Sequence, residues 1–271
     1  MLQLTTIVMV GEIKRETGPG VPNELSKWTI GVVAARGMEI TDPEAYGEML
    51  QLRHDVYSRH GWAQPDGALE DGLDPRSDQY AAIRHAPDGT RSVRVSSRLI
   101  YRSDKSDSAP SPLPLEDYFP DLSDELDENR VEVSRLVSRW ALNVERAPRP
   151  TAEESMAEAA LFAVMCQDLV DNGARPGGVI MTPYAIVEGW LTKTLRQAGV
   201  SLDVLTPQPT KIPEYANSAN FVIKADLLGT IEGVRERLTR QPFFQDTSDP
   251  DYFRGQQFVF DVQRDVQNAR H

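Results

Sequence analysis

Two periods of hydrophobicity divide the chain. Alternation with a period of two marks strands at Trp28–Ala35, Gln79–His85, Ser92–Tyr101 and Val131–Arg139, with shorter ones near Ser201–Leu205 and Asn220–Ala225. The turn residues Pro87, Asp88 and Gly89 separate the second strand from the third. Helical spacing begins after Asp42-Pro43, a cap followed by a proline at the first helical position, and runs to about His60. Thr151 and Glu154 form a capping box that opens a helix reaching Asp171 and stopping near Gly173. It is apolar nearly all round, so it should be buried. Gly178–Met181 reads as a strand, and Thr182-Pro183 as a second cap-and-proline start, for a helix ending at Gly199. Beyond residue 227 a short helix and polar coil are expected.

Strands and helices that alternate in this way predict an α/β fold with helices layered on a mixed sheet. No internal repeat is visible. Residues 11–26 scatter glycine and proline among charges and read as an extended arm. Residues 102–114 form a Ser/Asp/Pro-rich loop, and residues 116–128 hold seven acids and no base. The expected organisation is an arm and first strand over 1–37, a main domain over 38–227 and an extension over 228–271.

Composition narrows the function. The 271 residues include 41 acids and 29 bases, a net charge of −12, which argues against a broad nucleic-acid-binding face. The longest apolar run, Met156–Cys166, falls far short of the roughly 20 residues that a membrane helix needs. Met1–Val10 lacks the basic leader of a secretion signal, so the expectation is a soluble, cytoplasmic protein. A single cysteine, Cys166, excludes an internal disulfide and a cysteine-cluster metal site. The four histidines, His54, His60, His85 and His271, are scattered and suggest no metal.

Several charges stand where charge is expensive. Tyr46, Met49, Leu50, Arg53 and Tyr57 share one helical stripe, so Arg53 should meet carboxylates or a ligand. A structural ion pair is the plainer alternative. On the strand Ser92–Tyr101, Val93, Val95, Leu99 and Tyr101 form one face and Arg94, Ser96, Arg98 and Ile100 the other. In Val131–Arg139, ideal alternation separates Glu132 from Arg135, and a β-bulge between them would bring both to one site. Asp71 and Asp74 lie in a turn-rich stretch. Three candidate buried cations (Arg53, Arg98, Arg135) thus match three candidate carboxylates (Asp71, Asp74, Glu132). Such a cluster suits a zwitterionic, amino-acid-like substrate.

The residues Leu52-Arg53-His54-Asp55-Val56-Tyr57, Gly61-Trp62, Asp71-Gly72-Leu73-Asp74, Ser97-Arg98-Leu99, Phe119 and Glu132-Val133-Ser134-Arg135 follow one another in an order that resembles the acyl-homoserine-lactone synthases, the LuxI-type autoinducer synthases. The resemblance covers about Glu44–Leu205 and ends on an intact E-x-S-R. Tyr57 stands where phenylalanine is usual. The family implies a GNAT-like three-layer α/β/α sandwich with a mixed, mainly antiparallel sheet.

It also implies an N-acyltransferase. A fatty acyl group would pass from acyl carrier protein, or acyl-CoA, to the amine of S-adenosylmethionine, with lactonisation to an N-acyl-homoserine lactone quorum-sensing signal. No cofactor is implied: S-adenosylmethionine and the acyl thioester are substrates. Glu132 would be the base and Arg135 the anchor beside it. Arg53, Tyr57, Trp62 and Arg98 would hold the adenosylmethionine, with Asp71 and Asp74 orienting the arginines, and Phe119 would wall the pocket. Arg139, Arg146 and Arg149 would dock an acidic carrier protein. The usual GNAT glycine-rich pyrophosphate loop is missing from residues 143–150, which favours carrier protein over CoA. A related N-acyl amino acid synthase that does not lactonise, and a catalytically silent carrier-binding protein, are the alternatives.

Overall fold

The computed structural model describes residues 7–11, 26–36, 40–61, 69–86, 88–102, 111–142, 152–212 and 219–240. Their strands form one sheet in the order β1 (Ile7–Gly11), β2 (Ser26–Ala34), β3 (Ser77–His85), β4 (Arg91–Tyr101), β5 (Arg130–Val133), β7 (Thr182–Glu188), β10 (Ala219–Ala225) and β8 (Leu202–Val204). The short β6 (Val137–Ser138) pairs with β4, and β9 (Thr210–Lys211) with β10. Only β5–β7 is parallel; every other pair is antiparallel.

Alternate residues feed two faces. On one, Tyr80, Ala82, Leu99, Val131 and Ala185 pack against α3 (Ala152–Ala174) and α5 (Leu227–Arg240). On the other, Ala81, Ile83 and Val93 meet α1 (Pro43–His60). Farther along that face, Ile100, Tyr184 and Ile186 meet α2 (Pro114–Tyr118). The main core draws on β2 through Trp28 and Ile30 and on α5 through Ile231 and Val234, so it reaches beyond residues 38–227 on both sides. No helix among the described residues is long and apolar enough to cross a membrane.

The start of α1 is the one its sequence dictates. The Asp42 carboxylate accepts the Ala45 N–H at 3.0 Å, and the helix closes on Gly61 at φ 73, a left-handed conformation that glycine adopts without a Cβ clash. Helix α3 is buried as its composition requires, with Leu161, Val164, Met165, Cys166 and Leu169 all nearly inaccessible. Burial in apolar surroundings pushes the Cys166 thiol up, which keeps it inert. Thr151 lies outside the described residues.

Three expectations are corrected. Residues 178–181 form no strand, and 182–188 are strand β7 rather than the start of a helix; α4 is only Gly189–Gln197. Tyr184, Ile186 and Val187 favour a strand, and Pro183 sits near its start, ahead of the β10 pairing that begins at Tyr184. Second, the register of β4 shifts between Val93 and Val95, so Val93 turns to the α1 face while Val95 and Leu99 keep the α3 face. Third, Val131–Arg139 is not one strand. Leu99 pairs with Val133 and Ser96 with Val137, so three residues (Ser134, Arg135, Leu136) stand opposite two (Ser97, Arg98). The extra residue inverts the parity, and Val137 packs with α1 although Val131 and Val133 pack with α3.

The bulge matters because β5 and β7 part there. Their pairing ends at Glu132↔Tyr184, while β7 runs on to Glu188 along β10 and the other chain returns to β4 as β6. The sheet therefore divides just past Glu132.

Candidate active site

Beside that division, between the apolar pads under α1 and α2, the sheet face carries charge. Arg53 projects from α1 and is 6% exposed. Its guanidinium forks onto Asp74, Nη1 to Oδ1 at 2.8 Å and Nη2 to Oδ2 at 2.6 Å, and Nη2 also donates to the Leu69 carbonyl at 2.9 Å. Arg98, from β4, forks onto Asp71 with two bonds of 2.8 Å and donates to Asp74 Oδ1 at 2.5 Å. Gln79, opposite Arg98 in β3, donates to the same oxygen at 2.7 Å, and the Asp71 N–H donates to Asp74 Oδ2 at 2.8 Å.

Asp74 thus gathers five donors. Burial works against its ionisation, but the hydrogen bonds and charge of Arg53, helped by Arg98 and the Asp71 N–H, hold its carboxyl below the ordinary value. Burial likewise opposes the Arg98 charge, yet Asp71 and Asp74 raise its proton affinity. Two arginines and two aspartates make the cluster internally neutral, which is what allows it to be buried. Tyr57, packed at the edge of the α1 pad, lies near enough to Arg98 to add to that effect.

Glu132 stands apart. It is 3% exposed, and its Oε2 accepts one hydrogen bond, from the Leu115 N–H of α2 at 2.8 Å. Burial pushes its carboxyl up to about 8, and the opposing pull of the Leu115 N–H, Arg98 and Arg76 does not cancel it. Arg76 is turned aside onto the carbonyls of Tyr101, Ser111 and Pro112. The result is a carboxyl that exchanges its proton near neutral pH, the property a general base requires.

Of the residues singled out in the sequence, Arg53, Asp71, Asp74 and Arg98 therefore form one connected cluster, and Glu132 lies next to it within the influence of Arg98. Arg135 does not join Glu132. The bulge carries it instead to Glu188 at the end of β7, at 2.8 Å, across the division of the sheet. Phe119 is buried with Leu115, Ile100 and Tyr184 under α2, in the apolar pad that borders Glu132. Arg139 ties α1 to β4 through Glu48 at 2.8 Å and the Val93 carbonyl at 3.0 Å. Trp62, Arg146 and Arg149 lie outside the described residues.

Sequence reasoning missed Gln79, Leu115, Glu116 and Arg130. Gln79 was open to discovery, since it shares the Arg98 face of the sheet. Leu115 contributes a backbone N–H, which no side-chain pattern reveals. Glu116 opens the acid-rich stretch and Arg130 follows it, and the two form a buried ion pair. Among the described residues no group of three or more His, Cys, Asp or Glu is arranged to hold a metal.

Neither a protein-family model nor a curated protein matches the sequence. Among solved structures the chain is similar to TofI in a ternary complex with an inhibitor and MTA, with a TM-score of 0.50 and 13% identity over 77% of this chain and 96% of that one. It is also similar to BjaI, a CoA-dependent acyl-homoserine lactone synthase solved with SAM and isopentyl-CoA (TM-score 0.49, 22% identity, 72% of this chain and 82% of that one). A third likeness is to FeeM, an N-acyl amino acid synthase from uncultured soil microbes (TM-score 0.47, 11% identity, 81% and 97%). At that identity the likeness to TofI is one of fold, here a mixed, mainly antiparallel sheet with helices layered on it.

Proposed function

We propose that this chain is a cytoplasmic N-acyltransferase that moves a fatty acyl group from acyl carrier protein, or acyl-CoA, to the amine of S-adenosylmethionine, the product then closing to an N-acyl-homoserine lactone signal. The observation that carries the reading is Glu132, a buried carboxyl poised near neutral pH beside a neutral arginine–aspartate cluster. The substrate ammonium must lose a proton before its nitrogen attacks the thioester carbonyl. Of the two protons the ammonium nitrogen sheds, Glu132 takes the one that frees the lone pair; as the C–N bond forms and the C–S bond breaks, the second passes to the sulfur, which leaves as the thiol. Lactonisation then expels methylthioadenosine.

In this reading Arg53, Tyr57, Trp62 and Arg98 hold the adenosylmethionine. The forks of Arg53 and Arg98 lie on Asp74 and Asp71, which orient the two arginines in the wall of the site. Phe119 backs the acyl pocket, and the division of the sheet beyond Glu132 admits the thioester arm. Arg135 spans that division. Arg139, with Arg146 and Arg149, supplies cationic surface for a carrier protein.

Incubating the full chain with acyl carrier protein or CoA thioesters and S-adenosylmethionine, followed by mass spectrometry, tests the proposal. An acyl-homoserine lactone together with methylthioadenosine is expected. An N-acyl amino acid without methylthioadenosine identifies the non-lactonising alternative, and no transfer to any amine overturns the enzymatic reading.

A further inference from the structure

Two ties join α2 to β5, and they are spaced alike. Leu115 and Glu116 are successive residues of α2; Arg130 and Glu132 are alternate residues of β5 and share a face. The Leu115 N–H donates to Glu132 Oε2. Glu116 Oε1 accepts Arg130 Nε at 3.1 Å and Nη2 at closer range, while its Oε2 accepts the Leu113 N–H at 2.6 Å. Arg130 also donates to the Asp127 carbonyl at 2.8 Å. Both side chains of this pair are nearly inaccessible, 7% and 6% exposed.

Helix α2 is five residues long, too short to hold its own place. A buried ion pair adds little net stability, because desolvation offsets its attraction. It does fix geometry. We propose that Glu116 and Arg130 are positioning residues for Glu132: their ion pair pins α2 so that the Leu115 N–H stays on Oε2, leaving Oε1 for the substrate amine. The hydrogen bond that Glu132 accepts from the Leu115 N–H falls on Oε2. The proposal rests on the reading of Glu132 as base.

The groups that face Glu132 are Leu115 N–H and Glu116 from α2, Arg98 from β4, Arg76 from the turn before β3, and Tyr184 in register on β7, whose hydroxyl is engaged by Asp127. Their effects separate a positioning role from a purely electrostatic one. The negative charge of Glu116 raises the Glu132 proton affinity, so removing the charge alone would lower it. Losing the Leu115 hydrogen bond would raise it, because that bond favours the carboxylate.

The test uses Glu116→Gln and the charge-preserving Arg130→Lys in the full chain. Two readouts are taken: the pH dependence of acyl transfer, and direct titration of the Glu132 carboxyl by infrared difference spectroscopy, its band assigned with Glu132→Gln. The proposal predicts that both variants move the titration upward, by about one pH unit for Glu116→Gln. Turnover should fall about 10-fold with KM for the amine changed less than about 2-fold. A downward or unchanged midpoint overturns it, and so does an Arg130→Lys protein that cannot fold, since the pair would then serve stability. If no acyl transfer is detected with any donor, the functional reading fails, while the infrared titration still decides whether the pair positions Glu132.

Discussion

Asp74 and Glu132 are both buried carboxyls served by the same sheet face, yet their proton affinities move in opposite directions. Burial presses both upward. Asp74 overcomes it with five donors, three of them from two guanidiniums; Glu132 has one backbone donor and only the more distant influence of Arg98 and Arg76. The comparison teaches that burial alone assigns no role. The number of cationic donors decides whether a buried acid becomes a fixed structural charge or a group that exchanges protons.

Breaking the fixed side should cost most. Asp74→Asn leaves Arg53 and Arg98 buried with too few partners, and chemical denaturation should show a loss of about 3–5 kcal/mol. Next comes the exchanging side: Glu132→Gln should lower acyl-transfer turnover about 10²-fold or more while the folded state persists, as steady-state kinetics and circular dichroism would show.

A pH-dependent stability difference follows. The folded value of Glu132, about 8, lies above its ordinary value of 4.5, so its contribution to stability is fully present below the latter and is lost as pH rises toward the former. Thermal unfolding of the wild type and Glu132→Gln should therefore show the variant gaining relative stability from acid to mildly alkaline pH. Asp74 behaves in the opposite sense, with its contribution kept at neutral pH and lost in acid. The smallest effect belongs to Glu188→Gln. Its pairing with Arg135 is about one-fifth exposed on each side, and its loss should change stability by less than about 1 kcal/mol.

Much of the fixed side was legible in the sequence. Asp42-Pro43 announced α1, its apolar stripe singled out Arg53, and the motif order joined Arg53 to Asp71, Asp74 and Arg98. What escaped was governed by tertiary geometry. The bulge between Glu132 and Arg135 was expected, but not its outcome: it carries Arg135 to Glu188 rather than to Glu132, and periodicity does not set that direction. Thr182-Pro183 has the local chemistry of a helix start, and only pairing with β5 and β10 makes it a strand. The donor that holds Glu132 belongs to a backbone, and the nearby Glu116–Arg130 pair joins the two ends of an acid-rich stretch, a contact that only the fold brings about.

The claim that Glu132 removes the proton from the amine is tested most directly by the pH profile of turnover. Over roughly pH 6 to 9, kcat/KM for acyl transfer should rise with a midpoint near 8 in the wild type, and the residual activity of Glu132→Gln should lose that rise. A wild-type profile that stays flat, or a Glu132→Gln protein that keeps the same midpoint, would contradict the account.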